Sequence, residues 1–241
     1  MIKIPVMSGV IDRRLLVNYR VDPEALKPIL PAPFRPKLVR GTAVAGICLI
    51  RLKSLRPRGL PSWLGFGSEN AAHRVAVEWD SVGGVQEGVY IRRRDTSSRL
   101  SALVGGRLFP GVHSHARFAV NEPHGVVEVE MHSDDGQTAI VVRGRRSDEW
   151  PASSVFQSLA EASDFFAAGS LGYSDARSAG LYDGLELSCR RWDVRPLQVG
   201  EVRSSMFDDA SLFPQGSVEL DCALLMEGIE HQWHSRETLC R

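Results

Sequence analysis

The alternation of apolar and polar positions divides the chain into many short strands with few helices between them. Residues 15–21 alternate as a strand and run into Asp22-Pro23-Glu24, where Asp22 suits a helix N-cap and Pro23 the first helical position. A short helix through Leu26 and Ile29 is expected there, closed by Pro31 and Pro33. Residues 42–52 form a long apolar strand, and the Pro-, Gly- and Arg-rich stretch 54–67 reads as a surface loop. Residues 71–79 and 88–93 flank the turn Val82-Gly83-Gly84, with Val75 and Val77 alternating against Ala76 and Glu78. Asp95, Thr96 or Ser97 is expected to cap a helix over 100–104 that ends at Gly105-Gly106.

A meander follows, with strands at 112–120, 126–131 and 138–143 joined by Asn121-Glu122-Pro123-His124-Gly125 and Ser133-Asp134-Asp135-Gly136. Val155, Phe156, Leu159, Ala162 and Phe166 recur at helical spacing and predict an amphipathic helix over 154–168. Residues 182–192 and 217–227 read as two further strands. About eight strands and three short helices result, without βαβ alternation. The expected fold is β-rich α+β, an antiparallel barrel whose closure removes exposed edges.

Composition narrows the function classes. The chain has 241 residues, 43% of them hydrophobic, enough for one domain over 1–241 whose core needs no metal or disulfide. Basic and acidic residues balance at 29 each, which argues against a general nucleic-acid binder. Cys48, Cys189, Cys222 and Cys240 show no metal or CxxC spacing. The opening MIKIPVMSG is broken by Pro5, and no apolar run has the 18 or so residues of a span. A cytoplasmic, reduced protein without membrane contact, cofactor or metal is expected. Of the 29 basic residues only Lys3, Lys27, Lys37 and Lys53 are lysines.

Several residues are suited to chemistry. Glu69-Asn70 stand at a strand entrance, where reduced solvation would raise a carboxyl pKa toward a useful range. In His113-Ser114-His115, a strand would turn both imidazoles to one face, for a proton relay, a carboxylate or a metal. The Ile91-Arg92-Arg93-Arg94-Asp95 run would give a barrel mouth positive charge for a carboxylate. His231-Gln232-Trp233-His234 matches no catalytic signature, and no GxSxG elbow, Walker loop or HExxH helix occurs.

The segment from Arg13 to Leu26 and on to Leu30-Pro31 resembles the start of the acetoacetate decarboxylase superfamily, in particular its YqjF-like branch. Gly67-Ser68-Glu69-Asn70-Ala71-Ala72-His73-Arg74 is similar to that branch's E-N-x-R segment, and Gly88-Val89-Tyr90-Ile91 and Gly105-Gly106-Arg107-Leu108-Phe109 to its next blocks. Gly172-Tyr173-Ser174 and Val194-Arg195-Pro196-Leu197 extend the likeness into the C-terminal half. The resemblance implies a cone-like barrel around a small-molecule cavity, often in homo-oligomers.

In the decarboxylase a cavity lysine forms an imine with a β-keto acid. Aligning Gly106-Arg107 on its Gly-Arg pair puts Ser114 and His115 where its adjacent lysines fall, and this chain has no lysine after Lys53. Glu69 falls near the decarboxylase's cavity glutamate, and Arg13 or Arg14 takes the place of its cavity arginine with a one-residue shift. The expected function is therefore acid/base chemistry on a carbonyl or carboxylate metabolite without a Schiff-base lysine. Glu69, His115 and His113 would be catalytic, and Arg74, Arg107, Asn70 and Arg13 would bind substrate. The rival expectation is a ligand-binding or sensor protein that catalyses nothing.

Overall fold

A computed structural model describes residues 5–106 and 110–240. Among these residues there are thirteen strands: β1 (Met7–Val21), β2 (Arg35–Pro36), β3 (Leu38–Val39), β4 (Thr42–Pro57), β5 (Phe66–Ser81), β6 (Gly84–Thr96), β7 (Ser114–Asn121), β8 (Val126–Ser133), β9 (Ala139–Arg146), β10 (Leu171–Asp175), β11 (Leu181–Cys189), β12 (Arg195–Ser204) and β13 (Val218–Cys240). Three α-helices accompany them, α1 (Pro23–Leu26), α2 (Arg99–Val104) and α3 (Leu159–Ala168), with a 3-10 turn at Ser62–Leu64.

Seven strands hydrogen-bond into a ring. β13 pairs with β1, β1 with β4, β4 with β5 and β5 with β6, all antiparallel. β6 then pairs in parallel with β10, β10 with β11, and β11 returns to β13. The ring is uneven, because the β6–β10 junction spans only Gly172–Ser174 opposite Val89, Tyr90 and Ile91. A second sheet, β7-β8-β9-β12, branches from β6 and rejoins at β13.

This second sheet explains why the strands read as continuous apolar runs rather than clean alternations. Leu15, Val17, Ile47, Leu49 and Val75 face outward from the ring and pack against Val129, Met131, Ile140 and Val142 of the second sheet. The inward residues Leu16, Ile50, Leu224 and Met226 meet Ala162 and Phe166 of α3. A strand buried on both faces loses its polar half. The outward cluster also takes in Phe34, Trp79, Tyr90, Tyr173 and Tyr182, whose rings meet edge-on or tilted.

Local signals were sound where side chains cap or turn the backbone. Asp22 Oδ1 accepts from Glu24 N at 2.9 Å, as expected of an N-cap. α2 is capped by Ser98, one residue beyond the expected group. α3 begins at Leu159 rather than 154, since Asp221 takes Ser154 Oγ and Val155 N while Ser158 caps the helix through Glu161 N. β13 runs to Cys240, well past 227, because its polar second half pairs with β11. Within the expected loop 54–67, β4 continues to Pro57 and β5 starts at Phe66.

Candidate functional site

A cavity of about 280 Å³ occupies the ring beyond α3. Residues two apart on one strand share a face, so β4 contributes Cys48, Ile50 and Leu52, and β5 contributes Asn70, Ala72 and Arg74. Arg14 enters from β1, Ile91 and Arg94 from β6, Leu187 from β11 and Trp233 from β13. Leu100 and Val104 of α2 and His113 complete one side. Most of this wall is apolar.

Three guanidiniums line it, and none of the three forms an ion pair among the described residues. Arg74 is 4% exposed, donates from Nη2 to Asn18 Oδ1 at 2.5 Å and lies 4.9 Å over the Phe166 ring. Its Nε has no partner. Burial, assisted by the Arg14 charge, lowers its pKa to about 10. Arg94 donates to Ser174 Oγ at 3.2 Å, its Nη2 has no partner, and burial lowers its pKa to about 10 as well. Arg14 finds only soft acceptors, Cys48 Sγ at 3.4 Å and Met226 Sδ at 3.9 Å, and stacks 5.5 Å from Trp192. Arg74 is buried and Arg14 and Arg94 are partly buried, and cations withdrawn from water without counter-ions are costly.

His113 stands beside Arg94. Its Nδ1 lies 3.0 Å from the Gly111 carbonyl, which only accepts, so Nδ1 carries the proton and Nε2 is the basic nitrogen. Burial, then the Arg94 charge, lowers its pKa to about 4, leaving a neutral imidazole. Gly111 has φ +80°, and a Cβ there would lie 2.3 Å from Ser174 Oγ and 3.0 Å from Arg94 Nε. A glycine is required at 111 for this close approach to Ser174 and Arg94. Asp95 also lines the cavity, but it is ion-paired to Arg93 at 2.9 Å.

A profile of the DUF2071 family, described as an uncharacterized conserved protein, matches residues 11–229. The chain belongs to this family. Among curated proteins none matches it. The DUF2071 fold is that of acetoacetate decarboxylase-like proteins. An acetoacetate decarboxylase-like enzyme from Sphingomonas wittichii RW1 superposes with a TM-score of 0.62 at 13% identity, over 100% of this chain and 94% of that one. Acetoacetate decarboxylase from Legionella pneumophila gives 0.59 at 11% identity, over 95% and 86% of the two chains. The enduracididine biosynthesis enzyme MppR in complex with pyruvate gives 0.56 at 13% identity, over 98% and 89%.

In this DUF2071 barrel the residues expected to act together are divided between two faces. Asn70, Arg74 and His113 line the cavity. Glu69 turns the other way and takes Arg13 Nη2 at 2.6 Å and Arg51 Nε at 2.5 Å. Both arginines also reach Glu122, each at 2.7 Å. Glu69 and Arg13 thus meet each other, apart from the cavity. His115 bonds through Nδ1 to Asp134 at 2.7 Å and does not join His113, because β7 begins only at Ser114 and His113 belongs to the preceding turn. Arg107 lies outside the described residues.

Of the Arg92–Arg94 run only Arg94 lines the cavity, while Arg92 is exposed and Arg93 pairs with Asp95 and Asp135. No lysine lines it among the described residues. Lys53 pairs with Asp12 at 2.7 Å, and Lys37 and Lys27 pair with Glu87 and Glu24. Sequence reasoning missed Arg94 as a separate residue, and Cys48 and Trp233 altogether. Strand parity offered Cys48, two positions from Ile50, but nothing local set its face. Among the described residues no cluster of three or more His, Cys, Asp or Glu is placed to hold a metal, and no helix is long and apolar enough to cross a membrane.

Proposed function

We propose that the DUF2071 cavity binds a small carboxylate-bearing metabolite and moves a proton on it, by acid/base chemistry that needs no imine. The observation that carries this is the set of three guanidiniums, Arg14, Arg74 and Arg94, in a mainly apolar cavity with no protein carboxylate bound to them. A ligand carboxylate beside Arg74 and Arg94 would supply the missing counter-charge. The volume of about 280 Å³ suits a metabolite of a few carbons with a short apolar tail.

His113 is the base in this reading. An anion on Arg94 cancels one of the two causes that hold the imidazole near 4 and raises its affinity for a proton. Asn70 lines the same cavity beside the ligand. A positioned general base contributes about 10²–10⁴-fold to a proton abstraction next to a carbonyl. The pyruvate-bound state of MppR, a protein of the same fold, suggests the first ligand to try.

The test is a thermal-shift and calorimetric comparison of pyruvate with acetone, its uncharged analogue, followed by NMR of solvent deuterium entering the pyruvate methyl group. Pyruvate should stabilise the protein and acetone should not, with exchange lost in His113→Ala. Equal effects of the two compounds would refute the reading. A second reading, a carrier or sensor without chemistry, draws on the apolar wall. It is chosen by binding without exchange.

A further inference from the structure

The cavity also holds a nucleophile, Cys48, and its setting differs from those of Cys222 and Cys240. We propose that Cys48 is a covalent attachment point for electrophilic carboxylates, above all α,β-unsaturated acids, whose carboxylate is held by Arg14 and Arg74. The inference rests on the carboxylate-binding reading of the same cavity and adds a second class of ligand to it. Cys48 is 8% exposed, lines the cavity from β4, and its Sγ accepts from Arg14 Nε at 3.4 Å. The independent sign of a ligand is Arg74, nine-tenths buried and more, lining the same cavity with an Nε that bonds to nothing.

Cys222 supplies the contrast. It is buried in the same apolar cluster, yet it does not line this cavity and it neighbours a carboxylate. Burial, then the Asp221 charge, pushes its thiol well up, which makes it a poor nucleophile. Cys240 lies exposed at the end of β13. At Cys48 a positive charge faces the sulfur, where it stabilises the negative charge that sulfur carries into the new bond.

In the addition, the S–H bond breaks and a C–S bond forms at the β-carbon. The C=C π pair moves to the α-carbon, and the proton released by the thiol ends there. Nothing is oxidised or reduced, so no co-reactant is needed. The guanidiniums fix the carboxylate and thereby aim the β-carbon at the sulfur.

The experiment alkylates the folded full-length protein with iodoacetate or with iodoacetamide, reagents of similar size and the same leaving group, and maps each cysteine by peptide mass spectrometry. The iodoacetate-to-iodoacetamide rate ratio at Cys48 should exceed that at Cys240 by about tenfold or more, the scale of one partly screened charge contact. Arg74→Met should bring the ratio back toward the Cys240 value, with Arg14→Met as the second variant if the first fails to fold. Acrylate should add to Cys48 and spare Cys222. Equal ratios at Cys48 and Cys240, or a Cys48 that ignores iodoacetate while Cys240 reacts, would overturn the proposal.

The pyruvate titration separates the two readings. Pyruvate binding with an inert Cys48 removes this inference alone. Iodoacetate selectivity at Cys48 without pyruvate binding supports this inference and removes the proton-transfer reading. Failure in both removes both.

Discussion

On β1, Arg13 and Arg14 point to opposite faces of the ring, and the two faces treat a guanidinium differently. Arg13, 2% exposed, meets Glu69 and Glu122, and Arg51 closes the same quartet from β4. Arg14, with Arg74 and Arg94, faces sulfur, aromatic rings, the Asn18 amide and the Ser174 hydroxyl, with no carboxylate paired to them. Overall neutrality, 29 against 29, conceals this local imbalance. A set of guanidiniums paired with carboxylates fixes structure, here by tying the β7–β8 turn at Glu122 to the barrel. A set without carboxylates leaves interaction energy available to a ligand. Charge count says little about function; charge pairing says much.

The sharpest way to break this contrast is to remove one guanidinium from each side. Arg13→Met leaves Glu69 and Glu122 short of a partner and should cost about 3 kcal/mol in urea unfolding. Arg74→Met should cost less than Arg13→Met, because it removes a buried cation that has no counter-ion, although Asn18 Oδ1 loses its donor. The same variant should weaken pyruvate binding by about tenfold or more in calorimetry, the scale of hydrogen bonds to a charged group. If both variants lose equal stability, the distinction between the faces fails.

Gly111→Ala strains a left-handed residue and drives a Cβ toward Ser174 and Arg94, so it should cost about 1–3 kcal/mol and weaken pyruvate binding. A further effect comes from pH. Burial is the leading cause that holds His73, His113 and His231 at about 4. The unfolded chain, with histidines near 6.5, binds more protons than the folded one below that value. Stability is therefore complete above about pH 6.5 and falls as pH drops toward 4. At Glu122, burial opposes but the hydrogen bonds from Arg13 and Arg51 prevail, holding its pKa below the ordinary range, so the outer quartet yields only in stronger acid. Urea midpoints at pH 7 and 5 should differ, and equal midpoints would place the acid sensitivity elsewhere.

The legible parts of the sequence are those decided within a few residues. The Asp22-Pro23 cap, the Val82-Gly83-Gly84 turn and the meander from β7 to β9 each rest on local chemistry, and each is present. Ring closure was not readable in detail. β10 is five residues long and pairs in parallel with a strand about eighty positions earlier, which no local pattern announces.

The candidate site was half legible for the same reason. Asn70 and Arg74 share a face by parity, and Glu69, one position away, necessarily takes the other. Which face points inward depends on register shifts such as the one between Ile11 and Arg13 in the β1–β4 pairing. The pairing of His113 with His115 misled because His113 lies one residue before β7, where the two-residue rule has not begun to apply.

The short seam between β6 and β10 gives the barrel a preferred place to come apart. A closed hoop yields at its shortest stave, and local opening in proteins follows the same economy of broken contacts. Amide hydrogen exchange should therefore be fastest, among the ring strands, at Gly172, Tyr173 and Ser174. Ser174 is also the residue that holds Arg94, so each brief parting of the hoop loosens the floor of the cavity as well as its wall. Entry of a ligand and the breathing of the barrel would then be one motion, timed by a joint three residues wide.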